Sequence, residues 1–291
     1  MKTNHLPCLG AIIGDTVGSI YEFDNIKTTD FPFFSRKSDY TDDTIMTIAV
    51  ADWLANTNRS QNALEDKLVN WAMYNPCPMG GYGESFRRWL FLPEALRDFD
   101  NSGDRIKSGK SARHPYNSYG NGSAMRASAC GWAAKTLEEA IDLGKQSAEI
   151  THNHPEGIKG AQAVAATVFL AHKGESKEKI RNYIESTFNY NLNMTCDDLR
   201  PNYDWESSCQ GTVPPAIIAW LDSTDFEQAI RLAVSLGGDS DTLACITGAI
   251  AQAYYIDIPD FIVEHILTLL PKSFIQVIEQ LHLSTNNPLN P

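Results

Sequence analysis

Leu243-Ala244-Cys245-Ile246-Thr247-Gly248-Ala249-Ile250-Ala251-Gln252-Ala253-Tyr254 carries Leu243, Ile246, Ile250 and the Ala253-Tyr254 pair at three-to-four spacing. That is the period of a buried-faced helix, not of a strand. Ile45, Ile48, Ala49 and Asp52-Trp53 repeat it near the other end of the chain. The same pattern runs through residues 60–73, 123–135, 157–172, 176–187, 225–235 and 259–280, the last interrupted at Pro271. No segment sustains the alternation of a half-buried strand, so the spacing predicts an all-α chain.

Working outward, turn-forming residues separate the helices at Asn75-Pro76-Cys77-Pro78-Met79-Gly80-Gly81, at Asn101-Ser102-Gly103, at Asn117 to Gly122 and at Pro214-Pro215. Each reads as a short connection. The longest unpatterned piece, Asn189 to Gly211, is polar and aromatic instead of Gly/Ser-rich, and is expected to be a packed excursion within one domain. The expected organisation is one domain over residues 1–283 and a frayed tail over 284–291.

The composition excludes several classes. With 291 residues, 43% apolar and 21% charged, the chain has ample core for a globular fold and is neither disordered nor fibrous. Its net charge of -12 repels nucleic-acid backbones and anionic lipid, so neither general nucleic-acid binding nor a membrane partner is expected. No apolar run reaches spanning length, and Asp15 interrupts the N-terminal apolar segment, which lacks a cleavage pattern. The six cysteines form no C-x-x-C pair and read as small buried hydrophobes in a reducing compartment. A cytoplasmic protein is the expectation.

The first helix, about Pro7 to Glu22, places Gly10, Gly14 and Gly18 on one face, a costly choice inside a helix. Either another helix packs there closely, or the backbone lines a ligand site. Two further helices open on acidic clusters, Tyr40-Thr41-Asp42-Asp43-Thr44 and Gly238-Asp239-Ser240-Asp241-Thr242. Capping and the helix dipole account for one such oxygen per helix. They do not require two carboxylates and a hydroxyl twice over, whereas hard divalent cations such as Mg²⁺ and Mn²⁺ do. A two-metal site follows as the functional expectation.

Two apparent motifs fail. Asp98-Phe99-Asp100-Asn101-Ser102-Gly103 begins like a calcium loop, but Gly109 stands where the bidentate Glu belongs. His152-Asn153-His154-Pro155-Glu156 offers zinc-type side chains at consecutive spacing without companion cysteines, and reads instead as a capped helix start or a ligand contact.

Four ordered motifs resemble the ADP-ribosylglycohydrolase family, which includes the dinitrogenase reductase-activating glycohydrolases and the ADP-ribosyl hydrolases. They are Gly10-Ala11-Ile12-Ile13-Gly14-Asp15 with Tyr21-Glu22-Phe23, then Tyr40-Thr41-Asp42-Asp43-Thr44, then Tyr119-Gly120-Asn121-Gly122-Ser123-Ala124-Met125-Arg126, then Leu236-Gly237-Gly238-Asp239-Ser240-Asp241-Thr242. The resemblance implies an all-α, single-domain orthogonal helical bundle with a dinuclear metal cleft holding two Mg²⁺, with Mn²⁺ as a substitute. The implied metal ligands are Thr41, Asp42, Asp43, Asp239, Asp241 and Thr242, and the implied catalytic carboxylates are Glu22, Asp42 and Asp43. Gly81, Tyr82, Gly83, Ser118, Tyr119, Gly120, Asn121, Gly122 and His152 are the implied substrate contacts. Backbone N–H groups of the Tyr119–Gly122 turn are expected to face the diphosphate.

The implied activity is metal-dependent hydrolysis of the C1″ bond between ADP-ribose and an acceptor, with an ADP-ribosylated substrate as partner. Two alternatives remain open at the level of sequence. A haloacid-dehalogenase-type phosphatase shares an Asp-x-Asp pair, but here that pair opens a helix late in the chain, where the other class needs a strand. A catalytically silent relative, binding ADP-ribose or serving a structural role, would retain the same fold.

Overall fold

Gly10, Gly14 and Gly18 determine how the first and last motifs meet. In the computed structural model, which describes residues 5–91 and 113–285, they lie on α1 (Leu9–Gly18) against α12 (Ser240–Tyr255). A Cβ on Gly10 would stand 2.2 Å from the Gly248 carbonyl oxygen, and one on Gly14 1.9 Å from that of Ala244. One on Gly18 would stand 2.4 Å from that of Ser240. The glycine face therefore buries backbone against backbone and does not line a ligand site. Gln252 closes the far end of the pair, accepting from Gly10 N at 2.7 Å and donating to the Leu6 carbonyl at 2.7 Å.

The remaining helices pack around this pair. α2 (Asp42–Ala55) lies against α1, against α3 (Gln61–Tyr74) and against α14 (Lys272–Thr285). α10 (Cys209–Asp222) and α11 (Phe226–Ser235) cover another side of α12, while α7 (Pro155–His172) bridges α12 to α5 (Ser128–Ala133) and α6 (Leu137–Glu149). α4 (Glu84–Leu90), α8 (Lys177–Phe188), α9 (Cys196–Leu199) and α13 (Asp260–Leu269) complete the described elements. The described residues contain no strand, only isolated bridges such as Thr41 to Met79, so the fold is all-α. None of the described helices is long and apolar enough to cross a membrane.

Helix starts follow the sequence chemistry. Ser60, Thr136, Ser176, Thr195, Ser208 and Asp225 each accept a first-turn N–H, an arrangement contributing about 1 kcal/mol per helix. His154 caps α7, its Nδ1 accepting from Glu156 N at 3.1 Å, with Pro155 at the first helical position. This agrees with the capped-start reading of that motif.

Several expectations are corrected. Pro214 and Pro215 do not break the chain: both sit inside α10. Each proline removes one N–H bond to the carbonyl four residues back, but Gln210 is exposed to solvent and the Gly211 carbonyl accepts from Tyr203 Oη at 3.0 Å. The helix survives because the Gly211 carbonyl has another partner and Gln210 lies at the solvent-exposed surface. Residues 123–135 are not one helix but a 3₁₀ turn over Asn121–Ser123 followed by α5. α1 ends at Gly18, and a 3₁₀ turn over Ser19–Tyr21 carries the chain to Glu22. Five cysteines are buried and free, but Cys77 is exposed. Ser284 and Thr285 extend α14, while residues 286–291 and the rejected calcium-like stretch lie outside the described residues.

Candidate active site

The two acidic helix starts and Glu22 converge on one cleft of about 440 Å³. Its lining combines Glu22, Asp42 and Asp43 with Asp239, Asp241 and Thr242, beside Tyr82, Asn121 and His152. Carboxylate oxygens of Glu22, Asp239 and Asp241 lie within 4.8 Å of one another. Asp43 Oδ2 and Glu22 Oε2 are buried without a hydrogen-bond partner. Orphaned carboxylate oxygens in an all-oxygen set are the donors a hard divalent cation takes.

The two helix starts differ in a way that capping does not explain. At α2, Thr41 accepts from Asp43 N at 3.2 Å, the ordinary cap. At α12, Asp239 makes no cap bond, and its Oδ2 accepts from Asn121 Nδ2 at 2.7 Å. Asn121 thus aims a metal-ligand candidate with its side chain. The Gly120 and Asn121 N–H groups are already bonded, to Ser118 Oγ at 3.1 Å and to the Ser207 carbonyl at 2.8 Å. Those two groups are not the free donors expected for a diphosphate.

Asp15 lies beneath the cluster, fully buried. It accepts from Thr41 N at 2.9 Å, Thr41 Oγ1 at 2.7 Å and Thr44 N at 3.0 Å, and from the Thr44 hydroxyl. It therefore locks the start of α2 to α1. The sequence reading quoted Asp15 in a motif but assigned it nothing. An acid directly after the apolar run Ala11-Ile12-Ile13-Gly14, within the first helical pattern, was the available signal, since such a residue is buried only with partners.

Gly80 was also missed: at φ 72 it adopts a left-handed conformation, and a Cβ there would fall 2.6 Å from Glu22 Oε2. Asn25 ties the Glu22 segment to the last motif. Its side chain accepts from Gly238 N at 2.7 Å and donates to the carbonyls of Gly238 at 2.9 Å and Glu22 at 2.9 Å. At the mouth, Phe23 stacks on Trp205 of the Asn189–Gly211 excursion, with centroids 5.6 Å apart. Gly81 and Gly83 leave open space beside Tyr82, whose hydroxyl donates to the Asn75 carbonyl at 2.8 Å. Ser118 and Gly122 also line the cleft, while Tyr119 is half-exposed in the adjoining groove and Thr41 is buried behind the carboxylates.

Crowding shifts the acids upward. Burial, followed by the charges of Asp239 and Asp15, raises Glu22 to about 7. Burial raises Asp15 to about 6 against the opposing hydrogen bonds from Thr44 and Thr41. Asp42, Asp43 and Asp241 lie well above the ordinary carboxylate range, through burial first and their acidic neighbours second. Folding without a cation therefore takes up protons. Groups raised in the folded state stabilise it below their unfolded values, and that stability is lost as pH rises through the folded values.

Without divalent cations, melting is expected to fall between about pH 4 and pH 7, the window set by the ordinary and raised values of Asp15 and Glu22. Asp15 alone contributes about 3 kcal/mol, a loss on the order of 5 °C. Millimolar Mg²⁺ at pH 7.5 should restore the lost stability and release protons. Thermal melts across pH with chelator or Mg²⁺ test this; a flat chelated profile would contradict the crowding.

A larger cavity of about 670 Å³ lies elsewhere, lined by the C-terminal ends of α2, α5 and α7 with Arg59, Lys135 and Lys173. Arg59 Nη2 donates to the Leu54 carbonyl at 2.9 Å. Cations at helix C-termini need no ligand to account for them.

The family model described as ADP-ribosylglycohydrolase matches residues 8–288. ADP-ribosylarginine hydrolase Tri1 of Pseudomonas putida (strain GB-1) is 26% identical over 261 residues, covering 85% of this chain and 69% of that protein. Human (Homo sapiens) ADP-ribosylhydrolase ARH3 is 26% identical over 315 residues, covering 85% of this chain and 84% of that protein. A solved structure titled ADP-ribosylglycohydrolase-related protein complex superposes with a TM-score of 0.70 at 21% identity, over 97% of this chain and 98% of that one. At that identity the superposition shows a shared fold.

Proposed function

Because the chain belongs to the ADP-ribosylglycohydrolase family, we propose that it is a divalent-cation-dependent hydrolase cleaving the C1″ bond between ADP-ribose and an acceptor. Relatives named as ADP-ribosyl hydrolases support the activity at this level. The observation that carries the reading is the convergence of Asp42, Asp43, Asp239, Asp241 and Thr242 on one cleft beside Glu22, with an oxygen of Asp43 orphaned. A silent relative would have no need to keep so costly a cluster. The single-domain organisation belongs to the same proposal, supported by one buried cluster running from Leu6 to Leu281.

In the proposed mechanism Thr41, Asp42, Asp43, Asp239, Asp241 and Thr242 hold two Mg²⁺ or Mn²⁺ ions. When bound, the cations would supply charge compensation for the carboxylates and Lewis-acid stabilisation in the cleft. Asn121 orients Asp239, and Asp15 fixes the α2 start that carries Asp42 and Asp43. Glu22, raised to about 7, is poised to take a proton from water or deliver one to the leaving group near neutral pH. Asp42 and Asp43 share the work of orienting that water. Tyr82 and the Gly81–Gly83 loop form one wall for ADP-ribose; the Ser118–Gly122 turn and His152 form the opposite one.

Arginine-, serine- and nucleic-acid-linked ADP-ribose, assayed with Mg²⁺, with Mn²⁺ and after chelation, test the proposal. Release of ADP-ribose from at least one linkage, abolished by chelation, is expected. Phosphate release from a simple phosphomonoester instead, or ADP-ribose binding without turnover, would reject it.

A further inference from the structure

Glu22 stands where the chain has no regular structure to hold it. The 3₁₀ turn Ser19–Tyr21 ends one residue earlier, and among the described residues no helix or strand begins again before Asp42. Its Oε2 is buried without a hydrogen-bond partner, so the carboxylate lies where the backbone puts it. Asn25 supplies the missing hold. Its Nδ2 donates to the carbonyls of Tyr21 at 2.6 Å, Glu22 at 2.9 Å and Gly238 at 2.9 Å, and its Oδ1 accepts from Gly238 N at 2.7 Å. The partners fix the orientation of this amide: flipped, it would set its oxygen against three carbonyls and its NH₂ against an N–H.

The far side of the clamp is the turn that launches Asp239. Gly237 and Gly238 both adopt left-handed conformations, at φ 73 and 69. A Cβ on Gly237 would stand 3.0 Å from Lys27 Nζ and 3.3 Å from Asn25 Oδ1, and one on Gly238 2.8 Å from the Asp204 carbonyl oxygen. The turn is bare on both faces, and residues 25–27 close on one of them. Lys27 Nζ donates to the Leu236 carbonyl there, and Ser240 Oγ donates to that of Tyr21 at 3.3 Å. Asn25 itself is exposed and lies outside every helix. It covers no core, yet it joins backbone beside Glu22 to backbone 213 positions away.

We propose that Asn25 is a positioning residue: by clamping the Glu22 backbone to the Gly237–Gly238 turn, it sets where the Glu22 carboxylate stands relative to those of Asp239 and Asp241. The kinetic consequence rests on the role assigned to Glu22 above; the clamp itself does not. Misplacing a reacting group by about 1 Å can cost on the order of 10²-fold in rate. Asp239 keeps its separate bond from Asn121. Loss of Asn25 therefore displaces the proton-handling carboxylate and leaves the candidate cation ligands in place.

Asn25→Ala is expected to lower kcat about 10- to 100-fold, with KM and Mg²⁺ affinity within about twofold of wild type. In a Glu22→Gln background the same change should cost less than about twofold, because a residue acting through Glu22 then has nothing left to position. Asn25→Asp separates the clamp from simple capping of the turn. Its carboxylate still accepts from Gly238 N but offers the Tyr21 and Glu22 carbonyls no hydrogen, so kcat should fall as in Asn25→Ala. Hydrogen exchange reads the clamp without substrate: the Gly238 amide should exchange at least about tenfold faster in Asn25→Ala and stay protected in Asn25→Asp. Both variants should melt within about 4 °C of wild type. A larger loss of stability, an unchanged exchange rate at Gly238 in Asn25→Ala, or a fall in kcat that persists in the Glu22→Gln background would overturn the proposal. Wild type that releases no ADP-ribose would overturn the functional reading and the kinetic half with it, and exchange at Gly238 then decides the clamp alone.

Discussion

Asp42→Ala combined with Asp241→Ala is expected to lower turnover of the best ADP-ribosylated substrate by at least ~10³-fold, the scale set by removing several kcal/mol of cation-derived charge stabilisation. The loss should not come from unfolding. Asp241 is buried and Asp42 half-buried, and both lie well above the ordinary carboxylate range, so at pH 7.5 without cations their removal relieves crowding and should raise the melting temperature. Thr41, not Asp42, caps α2, so the helix start is retained. A variant that is more stable without Mg²⁺, no longer stabilised by it, and inactive is the full expected signature. Glu22→Gln should differ: metal and ADP-ribose affinity stay near wild type while kcat falls, because Glu22 is assigned to the proton and not to the ion. Turnover near wild type in the double variant would remove the metal assignment, and unchanged kcat in Glu22→Gln would leave Glu22 a cleft-lining carboxylate with no part in the chemistry.

The second large effect is on folding. Gly14→Ala adds one methyl group, yet its Cβ would lie 1.9 Å from the Ala244 carbonyl oxygen and 2.4 Å from the carbonyl carbon. Both atoms belong to a helix backbone, so no side chain can turn away, and α1 must separate from α12. Overpacking a side-chain core costs roughly 1–3 kcal/mol; a clash between two backbones should exceed that range. Activity should fall with stability, since α1 carries Asp15 and α12 carries Asp241 across the same seam. Gly83→Ala, with nothing within 4 Å of its added Cβ, is the matched control and should change stability by no more than about 0.5 kcal/mol. Denaturant midpoints compare the two; equal midpoints would mean that the helix pair is looser than the geometry requires.

Legibility in the sequence followed the range of each interaction. Helix α2, α12 and their acidic starts were readable because period and capping are local. The closeness demanded by Gly10, Gly14 and Gly18 was readable as well, but not the identity of the partner, because Gly10 and Gln252 are 242 positions apart. The same limit hid the Asn121 side-chain bond to Asp239, 118 positions away, and left that residue read as part of a turn and, through the resemblance, as a substrate contact. Pro214 and Pro215 misled for a related reason: local rules end a helix there, and a tyrosine hydroxyl from the preceding segment overrides them. Asp15 needed no distant knowledge; a charge inside an apolar helix was a legible anomaly.

The α1–α12 seam also sets an order of events during synthesis. At ribosomal rates of about 5–20 residues per second, the 242 positions between Gly10 and Gln252 take on the order of 10–50 s to emerge. For that interval α1 has no native partner for its glycine face, and Leu9, Ile12, Ile13 and Val17, all fully buried in the finished protein, remain in search of cover. The acidic cluster cannot be complete before the last of these helices leaves the tunnel. A nascent chain stalled ahead of residue 240 therefore carries an exposed apolar helix and an incomplete acidic cluster, the surface a chaperone holds.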